Sequence, residues 1–369
     1  MLELLRVLFV TIVAFAVTLP APRIVPLPPP EAGTLRWRAG VGVAHSNPLH
    51  FDWPLARPGW FHNWDFDIHT LAGGYHTPLP RFALAGAEQA LGMAFAPLIR
   101  TLGGVVDYPP ARITALARRY PGLAWIVGNE PDIRTQDWAT PAEYARAYHL
   151  AYTAIKAGDP TATVVAGNIS QVTPLRLRYL DAVRTAYRLQ FGAEMPVDVW
   201  GVHLYILPEA GAWGAGLPPG QEDHAALGVT WGVAAHDELA LLAEQVTAMR
   251  RWLAGHGAQA TPLWVTEYGI LLPAELGFTP ARVARFLTAS MNYFVTATDP
   301  ALGLPQDDQR LVQRWVWFST YTPEYPAGNL FDAHGAPTPI MAAYAEFLGG
   351  RERGREGDRE PTPNSPSPP

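Results

Sequence analysis

Cysteine is absent from the 369-residue sequence. This absence excludes a disulfide framework, a thiolate nucleophile and a cysteine-based zinc site. Charged residues are scarce, at 16% of the chain, and the formal net charge is −6. A chain with this charge lacks an excess of basic residues to bind the phosphates of a nucleic acid, so we expect no nucleic-acid partner. Hydrophobic residues make up 49% of the sequence, which is enough to bury a large core.

The sequence also lacks the fingerprints of several enzyme classes. No Gly-x-Gly-x-x-Gly run, P-loop or Gly-x-Ser-x-Gly elbow occurs, so nucleotide-dependent chemistry and a serine hydrolase lack support. We therefore predict that no cofactor is needed. One cluster gathers nitrogen and oxygen groups, but its spacing matches neither an EF-hand loop nor a helical zinc pair, so we predict no metal site. Its members are His62, Asp65, Asp67 and His69.

The N-terminus predicts an export segment. Arg6 precedes an unbroken apolar stretch, Val7 to Leu19, which has the length of a signal-peptide core and is short for a membrane span of roughly 20 residues. The sequence around Leu19 lacks a good small-x-small cleavage pattern. Residues 1–19 are therefore either a cleaved signal peptide or an N-terminal anchor that tethers the protein to a membrane. Both alternatives predict an extracellular or cell-envelope location.

The remainder of the chain predicts one folded domain between two low-complexity segments. Residues 20–34 are proline-rich and predict a stiff, extended linker. Residues 350–369 are charged and then rich in proline and serine, so we expect a disordered tail. Residues 35–349 are left for a single domain, which we expect to act as a monomer.

Apolar and β-branched runs alternate with amphipathic stretches in this domain, which is the pattern of parallel βα units. Eight strands are predicted, at Arg36–Ala44, Gly59–Trp64, Met93–Ile99, Leu123–Val127, Ala162–Ala166, Val197–Tyr205, Leu263–Glu267 and Arg314–Phe318. Helices are predicted at Pro110–Tyr120, Pro141–Ala157, Pro174–Phe191, His236–Ala254, Pro280–Ala297 and Thr338–Leu348. The sequence therefore predicts the α/β class and a (β/α)8 TIM barrel.

Two glutamates stand at the ends of predicted strands. Glu130, in the run Asn129-Glu130-Pro131-Asp132, follows the fourth strand, and Glu267 ends the seventh. The C-terminal strand ends of such a barrel converge on one face, so we expect both residues at the same mouth. Glycoside hydrolysis needs two carboxylates that face one sugar bond. Together they indicate a glycosidase, whereas either glutamate alone could be a helix-start or strand-end carboxylate.

These motifs resemble those of clan A retaining glycoside hydrolases. The resemblance lies in Asn129-Glu130-Pro131 after strand four, His203 and Tyr205 at strand six, Thr266-Glu267-Tyr268-Gly269 at strand seven and a tryptophan-bearing strand eight. Within the clan, the segments at 60–64, 95–99 and 128–132 are similar to the glycosyl hydrolase catalytic core family, glycoside hydrolase family 128. The resemblance spans residues 36–348 and implies an endo-β-1,3-glucanase.

Two further segments bear on the resemblance. The run from Leu330 to Pro337 resembles the turn that many clan members carry after strand eight. The segment from Leu207 to Ala235 is rich in glycine, proline and tryptophan and does not align with the family pattern. Trp213 and Trp231 in this insertion fit either a lid with extra sugar subsites or a surface loop with a small cluster of its own.

The resemblance assigns roles to the site residues. Glu130 is the general acid/base, and we expect it to be protonated near neutral pH because of burial and the nearby charge of Glu267. Glu267 is the ionised nucleophile, with the two carboxyl groups about 5 to 5.5 Å apart. Asn129 donates to the sugar 2-hydroxyl, and Tyr205 or His203 holds Glu267 by a hydrogen bond.

Other candidates have two interpretations each. His203 and Tyr205 share one strand face and are either site residues or satisfied core residues. Asn63 and Trp64 either line the sugar side of the cleft or belong to a hydrophobic plug. His45 and Asn47, just past the first strand, have the same two interpretations.

Two tryptophans of the eighth predicted strand lie on one face by the period of two. Each fits a sugar-stacking platform or ordinary barrel packing, and of the two we favour Trp317 over Trp315 as the platform.

The sequence thus predicts a retaining glycosidase that acts on an oligo- or polysaccharide, a β-linked glucan. Xylan, mannan and a cell-envelope glycan stay open as substrates, because clan members share the carboxylates and differ in loops. A barrel that binds carbohydrate without cleaving it is the alternative of another class.

Overall fold

The computed structural model describes residues 24–44, 48–64, 90–211 and 213–357. The predicted export segment lies outside the described residues, as do most of the predicted tail and the candidates His45, Asn47, Asp65, Asp67 and His69. Within the described ranges, no helix is both long enough and apolar enough to pass through a membrane.

A nine-stranded sheet with only parallel pairing forms the centre of the protein. Its strands are β1 Ala39–Gly42, β2 Trp60–His62, β3 Ala94–Phe95, β4 Leu98–Ile99, β5 Ala124–Val127, β6 Thr163–Ile169, β7 Val199–His203, β8 Leu263–Gly269 and β9 Arg314–Phe318. Their order is β3-β2-β1-β9-β8-β7-β6-β5-β4. Since β1 pairs with β9, the first and last strands along the chain lie side by side, third and fourth in this order.

The two ends of the sheet belong to one short chain segment. β3 pairs with β2, while β4, which follows only two residues later, pairs with β5. Between them, Ala96 N–H donates to Phe61 O at 2.9 Å and Pro97 O accepts from Ile126 N–H at 2.8 Å. Pro97 has no N–H to continue a ladder, so the segment changes partners there. The sheet therefore curls round on itself, and the predicted α/β class with a barrel-like parallel sheet is confirmed.

Helices connect the strands and begin at strong start signals. The described helices are α1 Leu35–Arg38, α2 Pro110–Arg119, α3 Pro141–Gly158, α4 Pro174–Phe191, α5 Leu239–Gly255, α6 Pro280–Thr296 and α7 Pro339–Gly357. Before α3, Thr140 and Glu143 form a capping box in which Thr140 N–H donates to Glu143 Oε2 at 2.8 Å. Short 3-10 helices lie at Pro48–His50, Leu102–Gly104, Glu222–Leu227, Val233–Ala235, Ala274–Leu276, Pro305–Asp307 and Pro326–Gly328.

Most predicted boundaries differ from the structure by a few residues, and three of the differences concern helical segments. The first strand begins at Ala39, because Thr34 caps a helical turn over Leu35–Arg38 and accepts from Trp37 N–H at 3.3 Å. The helix predicted from His236 begins at Leu239. The last helix continues to Gly357, beyond the predicted domain end at 349, so the charged start of the predicted tail is helical.

Buried side chains form two layers, one between sheet and helices and one inside the barrel. At the end of the barrel where the strands begin, the inner layer encloses Arg314. Its Cζ lies 4.2 Å from the ring centre of Trp60 and 4.6 Å from that of Trp264, and its Nε donates to Trp37 O at 3.0 Å. Cation–π contacts thus surround the guanidinium, while the end where the strands finish is left open.

Candidate active site

A cleft with an empty volume of about 660 Å³ lies at the C-terminal strand ends. Its walls combine residues from loops after several strands with a part of the 207–235 insertion. The lining residues are Trp64, Glu130, Ile133, Thr135, Gln136, Ser170, Tyr205, Leu207, Gly214, Ala215, Glu267, Leu271, Phe318 and Tyr325. Ligands in parallel α/β folds bind at this end of the strands, so the position is the expected one.

Glu130 occupies a strained backbone position just after β5. Its φ is +44°, in the left-handed region that non-glycine residues rarely adopt. Its N–H donates to Asn168 O at 3.0 Å, and Asn168 also has a positive φ, +51°. Only 8% of Glu130 is exposed. The surrounding structure therefore holds this carboxylate in a conformation that local preference alone would not select.

Glu267 lies within β8 and is held by two side-chain donors. Tyr205 Oη donates to Glu267 Oε1 at 2.5 Å, and Trp64 Nε1 donates to Glu267 Oε2 at 2.9 Å. The parallel pairing of β7 and β8 sets Glu267 beside His203. Each carboxylate oxygen thus has a fixed donor, which orients the carboxylate before a ligand arrives.

The two glutamates meet across a histidine. Ligand atoms of Glu130, His203 and Glu267 all lie within 4.8 Å of one another. His203 Nδ1 is 3.0 Å from Glu130 Oε1 and 3.9 Å from Glu267 Oε2. In the described part of the chain, neither carboxylate forms an ion pair with lysine or arginine. Among the described residues, the two buried carboxylates therefore face each other with no guanidinium in direct contact.

Burial raises the pKa of Glu130 to about 8. The negative charge of Asp132 raises this pKa further, and the positive charges of Arg176 and Arg100 oppose the shift. The rise agrees in direction with the sequence analysis, but the main neighbouring charge is that of Asp132, whereas we expected Glu267. A carboxyl group with this pKa is largely protonated at neutral pH and can donate a proton.

Burial also raises the pKa of Glu267, while His203 and the hydrogen bonds from Tyr205 and Trp64 act in the opposite direction. Burial lowers the pKa of His203 below its usual 6.5, so its imidazole is neutral at pH 7. Glu130 has no tyrosine or tryptophan donor of this kind among the described residues. The two environments therefore differ, because hydrogen bonds favour the charged form of Glu267, whereas burial and the charge of Asp132 favour the protonated form of Glu130.

The same three ligand groups could also hold a divalent metal ion, since one ligand atom of each of two carboxylates and one imidazole lies within 4.8 Å of the others. Of the sequence cluster that we rejected as a metal site, only His62 is described. Its Nε2 lies 2.9 Å from Thr266 O, and burial lowers its pKa to about 4. That histidine is a neutral packing residue between two strands.

The structure brings some of the other predicted residues to the cleft. Trp64 and Tyr205 line it and contact Glu267 directly. Asn63 is buried beside Trp64 and does not line the cleft. Asn129 is also buried, and its Nδ2 donates to Gln136 Oε1 at 3.1 Å. Asn129 thus points to another side chain, whereas we expected it to face a sugar.

Trp317 requires a correction. It is fully buried, donates through Nε1 to Gly328 O at 2.8 Å and packs against Tyr268 with ring centres 5.1 Å apart. Trp315 shares this face, as predicted, but the face is turned towards the helices. Phe318, one residue further along β9, lines the cleft instead. Alternation gives the shared face but cannot say which face is inside when both are buried.

The sequence analysis missed several residues that line the cleft, among them Gln136, Ser170, Phe318 and Tyr325. Three of them lie in loops after strands, where no periodic pattern announces a side chain's direction. The only sequence signal that could have identified these three as cleft residues is their position shortly after a predicted strand.

A second group of buried charges lies beside the first. Arg176, at the start of α4, forms ion pairs with Asp132 at 2.6 Å and with Glu209 of the insertion. All three side chains are fully buried. Arg176 also donates through Nη2 to Gly216 O at 3.1 Å. We call these three residues the arginine triad, which fastens the insertion to the loop that carries Glu130.

Comparison with known proteins finds the fold in solved structures. No protein-family model and no curated protein matches the sequence. Similar structures include subgroup II endo-β-1,3-glucanases of glycoside hydrolase family 128 from Sorangium cellulosum (TM-score 0.54, 17% identity, 84% of this chain and 97% of that chain) and from Pseudomonas viridiflava (0.55, 18%, 84% and 96%). A subgroup VII oligosaccharide-binding protein of the same family from Cryptococcus neoformans is also similar (0.51, 14%, 86% and 96%). At these identities the likeness confirms the resemblance at the level of the fold.

Proposed function

We propose that this protein is a retaining glycoside hydrolase that cleaves a β-1,3-linked glucan, with Glu130 as the acid/base and Glu267 as the nucleophile. The observation that carries the proposal is the approach of their carboxylate oxygens to within 4.8 Å, around His203, at the C-terminal strand ends. Double displacement needs carboxyl groups about 5 to 5.5 Å apart, whereas inversion needs roughly 6.5 to 9.5 Å.

The reaction follows from the two environments. Glu267 attacks the anomeric carbon as a carboxylate while the bond to the leaving oxygen breaks, and Glu130 gives its proton to that oxygen. Glu130, now a carboxylate, then takes a proton from water, whose oxygen attacks the same carbon and releases Glu267. Tyr205 and Trp64 keep the nucleophile oriented through both steps.

Three further parts of the proposal concern fold, substrate and location. The segment at 94–99 supplies both β3 and β4, so the nine strands correspond to eight chain segments and to a closed (β/α)8 barrel. Two of the similar structures are endo-β-1,3-glucanases, which supports a β-1,3-glucan as the substrate. The apolar N-terminal stretch supports action outside the cytoplasm on an extracellular glycan.

A second candidate function is binding of an oligosaccharide without cleavage. One similar structure is an oligosaccharide-binding protein, so this fold also serves that purpose. The presence of both carboxylates, one of them with a pKa of about 8, favours hydrolysis.

Product analysis tests both candidates. We expect the purified protein to release oligosaccharides from laminarin and not from cellulose, xylan or mannan. Proton NMR at early times should show the β-anomer first, because double displacement retains the configuration. Early appearance of the α-anomer would refute the roles of the two glutamates. Binding of laminarin oligosaccharides without any release of sugar would establish the second candidate.

A further inference from the structure

Gln136 lies in the loop that follows Glu130, and its side-chain amide has a fixed orientation. Gln136 Oε1 accepts from Asn129 Nδ2 at 3.1 Å and from Arg100 Nη2 at 3.3 Å. A guanidinium carries only donors, so it can face the oxygen of the amide but not the amino group. Arg100 is itself fixed by an ion pair with the fully buried carboxylate of Asp137. The amide of Gln136 therefore cannot turn over without losing both contacts.

The amino group of Gln136 is left for the cleft. Gln136 is half-buried and lines the cleft together with Glu130. Its Nε2 makes no hydrogen bond to any of the residues in the described ranges. A donor that is held in place before a ligand arrives loses little conformational freedom on binding. The network thus presents one oriented N–H donor pair to whatever occupies this part of the cleft.

The order of the strands tells which part of the glycan would lie there. Gln136 follows β5, the strand of Glu130, and Ser170 follows β6 beside it. Phe318 lies on β9, next to β8, which carries Glu267. The acid protonates the leaving oxygen, so the departing sugar lies on the side of the acid. Gln136 is therefore placed on the leaving-group side of the cleft.

We infer that Gln136 binds the departing half of the glycan, with Nε2 donating a hydrogen bond to a sugar hydroxyl on the leaving-group side. Asn129 and Arg100 act through it as positioning residues. The inference rests on the proposed function, since it presupposes a glycan that is cleaved between Glu130 and Glu267.

The test compares two substrates with different leaving groups. Cleavage of laminaripentaose releases a sugar fragment that must bind on the leaving-group side of the cleft. Cleavage of laminaribiosyl β-fluoride releases only a fluoride ion, which does not occupy a sugar site there. Gln136→Glu keeps the acceptor for Asn129 and Arg100 but replaces the donor by an oxygen. We expect kcat/KM for laminaripentaose to fall about tenfold, the effect of one lost hydrogen bond, and that for the fluoride to change less than about twofold.

Two further variants complete the test. Gln136→Met removes the donor without adding a charge and should reduce the laminaripentaose rate in the same direction. Gln190→Glu makes the same chemical change on the exposed side of α4 and should alter neither rate. All rates are compared at the pH optimum of each variant, because a new carboxylate near Glu130 would shift its pKa.

The outcomes separate this inference from the proposed function. If Gln136→Glu matches the wild type on laminaripentaose, or loses equally on both substrates, Gln136 does not bind the leaving sugar and the inference is overturned. If the wild-type protein cleaves neither substrate, the proposed function fails and the inference falls with it.

Discussion

Two buried carboxylates, those of Glu130 and Asp132, lie two residues apart in the same loop, and their surroundings differ in charge. Glu130 faces Glu267 within 4.8 Å and has no lysine or arginine in an ion pair among the described residues. Asp132 shares Arg176 with Glu209 in the arginine triad. A buried carboxylate is costly unless it is paired. Arg176 therefore contacts the carboxylates that link the insertion to this loop. Among the described residues, no lysine or arginine forms an ion pair with Glu130, whose pKa is raised.

The difference distinguishes the arginine triad, which links two chain segments, from the pair of glutamates for which we propose a catalytic role. Both groups combine full or nearly full burial with strong hydrogen bonds, so burial alone would not distinguish them. The absence of a paired cation and the strained φ of +44° mark Glu130, and such features gather at functional sites. Four substitutions would break or sharpen this comparison.

The largest effect is expected on the rate of hydrolysis when the proposed nucleophile, Glu267, is replaced. Glu267→Gln should reduce hydrolysis of laminarin by at least about 10⁴-fold, since an amide cannot form the glycosyl-enzyme intermediate. The same variant should unfold at an equal or higher temperature than the wild type, because a buried carboxyl group without a paired cation is replaced by a neutral amide. Initial rates and thermal unfolding check both parts. Unchanged turnover would remove Glu267 from the mechanism.

Breaking the triad should instead reduce stability. Arg176→Met leaves Asp132 and Glu209 buried without their cation, and we expect the free energy of unfolding in urea to fall by about 3 to 5 kcal/mol. The control is the neutral triple variant Asp132→Asn, Arg176→Met and Glu209→Gln, which should lose clearly less. Equal losses in the single and triple variants would show that the cost is one of packing and not of unpaired charge.

A smaller effect is expected when one donor to the nucleophile is removed. Tyr205→Phe deletes the hydrogen bond from Oη to Glu267 Oε1, and a bond to a charged group contributes about 1.5 to 3 kcal/mol. We expect kcat on laminarin to fall roughly 10- to 100-fold. Tyr187→Phe, which loses a contact with His149 on the outer helices, should leave kcat unaltered. A similar fall in both variants would contradict a specific role for Tyr205.

The smallest effect concerns the dependence of stability on pH. The pKa of Glu130 rises from its ordinary 4.5 to about 8 in the folded protein, so folding favours the protonated form. Its contribution to stability is complete below pH 4.5 and is lost as the pH rises through about 8. Glu130→Gln resembles the protonated form at every pH.

We therefore expect the stability of Glu130→Gln relative to the wild type to increase by at least about 1 kcal/mol between these two pH values. Denaturant unfolding of both proteins across the range measures the difference. A difference that does not change with pH would show that Glu130 has an ordinary pKa in the folded protein.

Much of the fold was predictable because its signals are local. All eight predicted strand regions contain strands, and the helix predicted at Pro174–Phe191 has those bounds in the structure. Proline at the first turn and threonine before it mark helix starts within a few residues. The helical turn before β1 was missed, because Leu35 and Trp37 alternate with two arginines in the period of a strand and conceal the cap at Thr34.

The candidate site was predictable only in part. Both glutamates lie at the cleft, and Tyr205, one of the two residues expected to hold Glu267, donates to it. Trp64 lines the cleft, but its hydrogen bond to Glu267 was not predicted. Trp317 was misplaced because both faces of a central barrel strand are buried. Asn129 was expected to face the sugar, but it supports Gln136, a residue that no sequence pattern singled out.

The sequence by itself determined the order of strands and helices and the positions of two glutamates at strand ends, because periodicity, caps and strand termination act over a few residues. Only the tertiary structure decided that Glu130 and Glu267 meet around His203 and that Asp132 is in contact with a cation. It also decided that Asn129 and Arg100 both donate to the side-chain oxygen of Gln136. These outcomes depend on how distant segments close into a barrel, and distances across that closure are not encoded in any single stretch of chain.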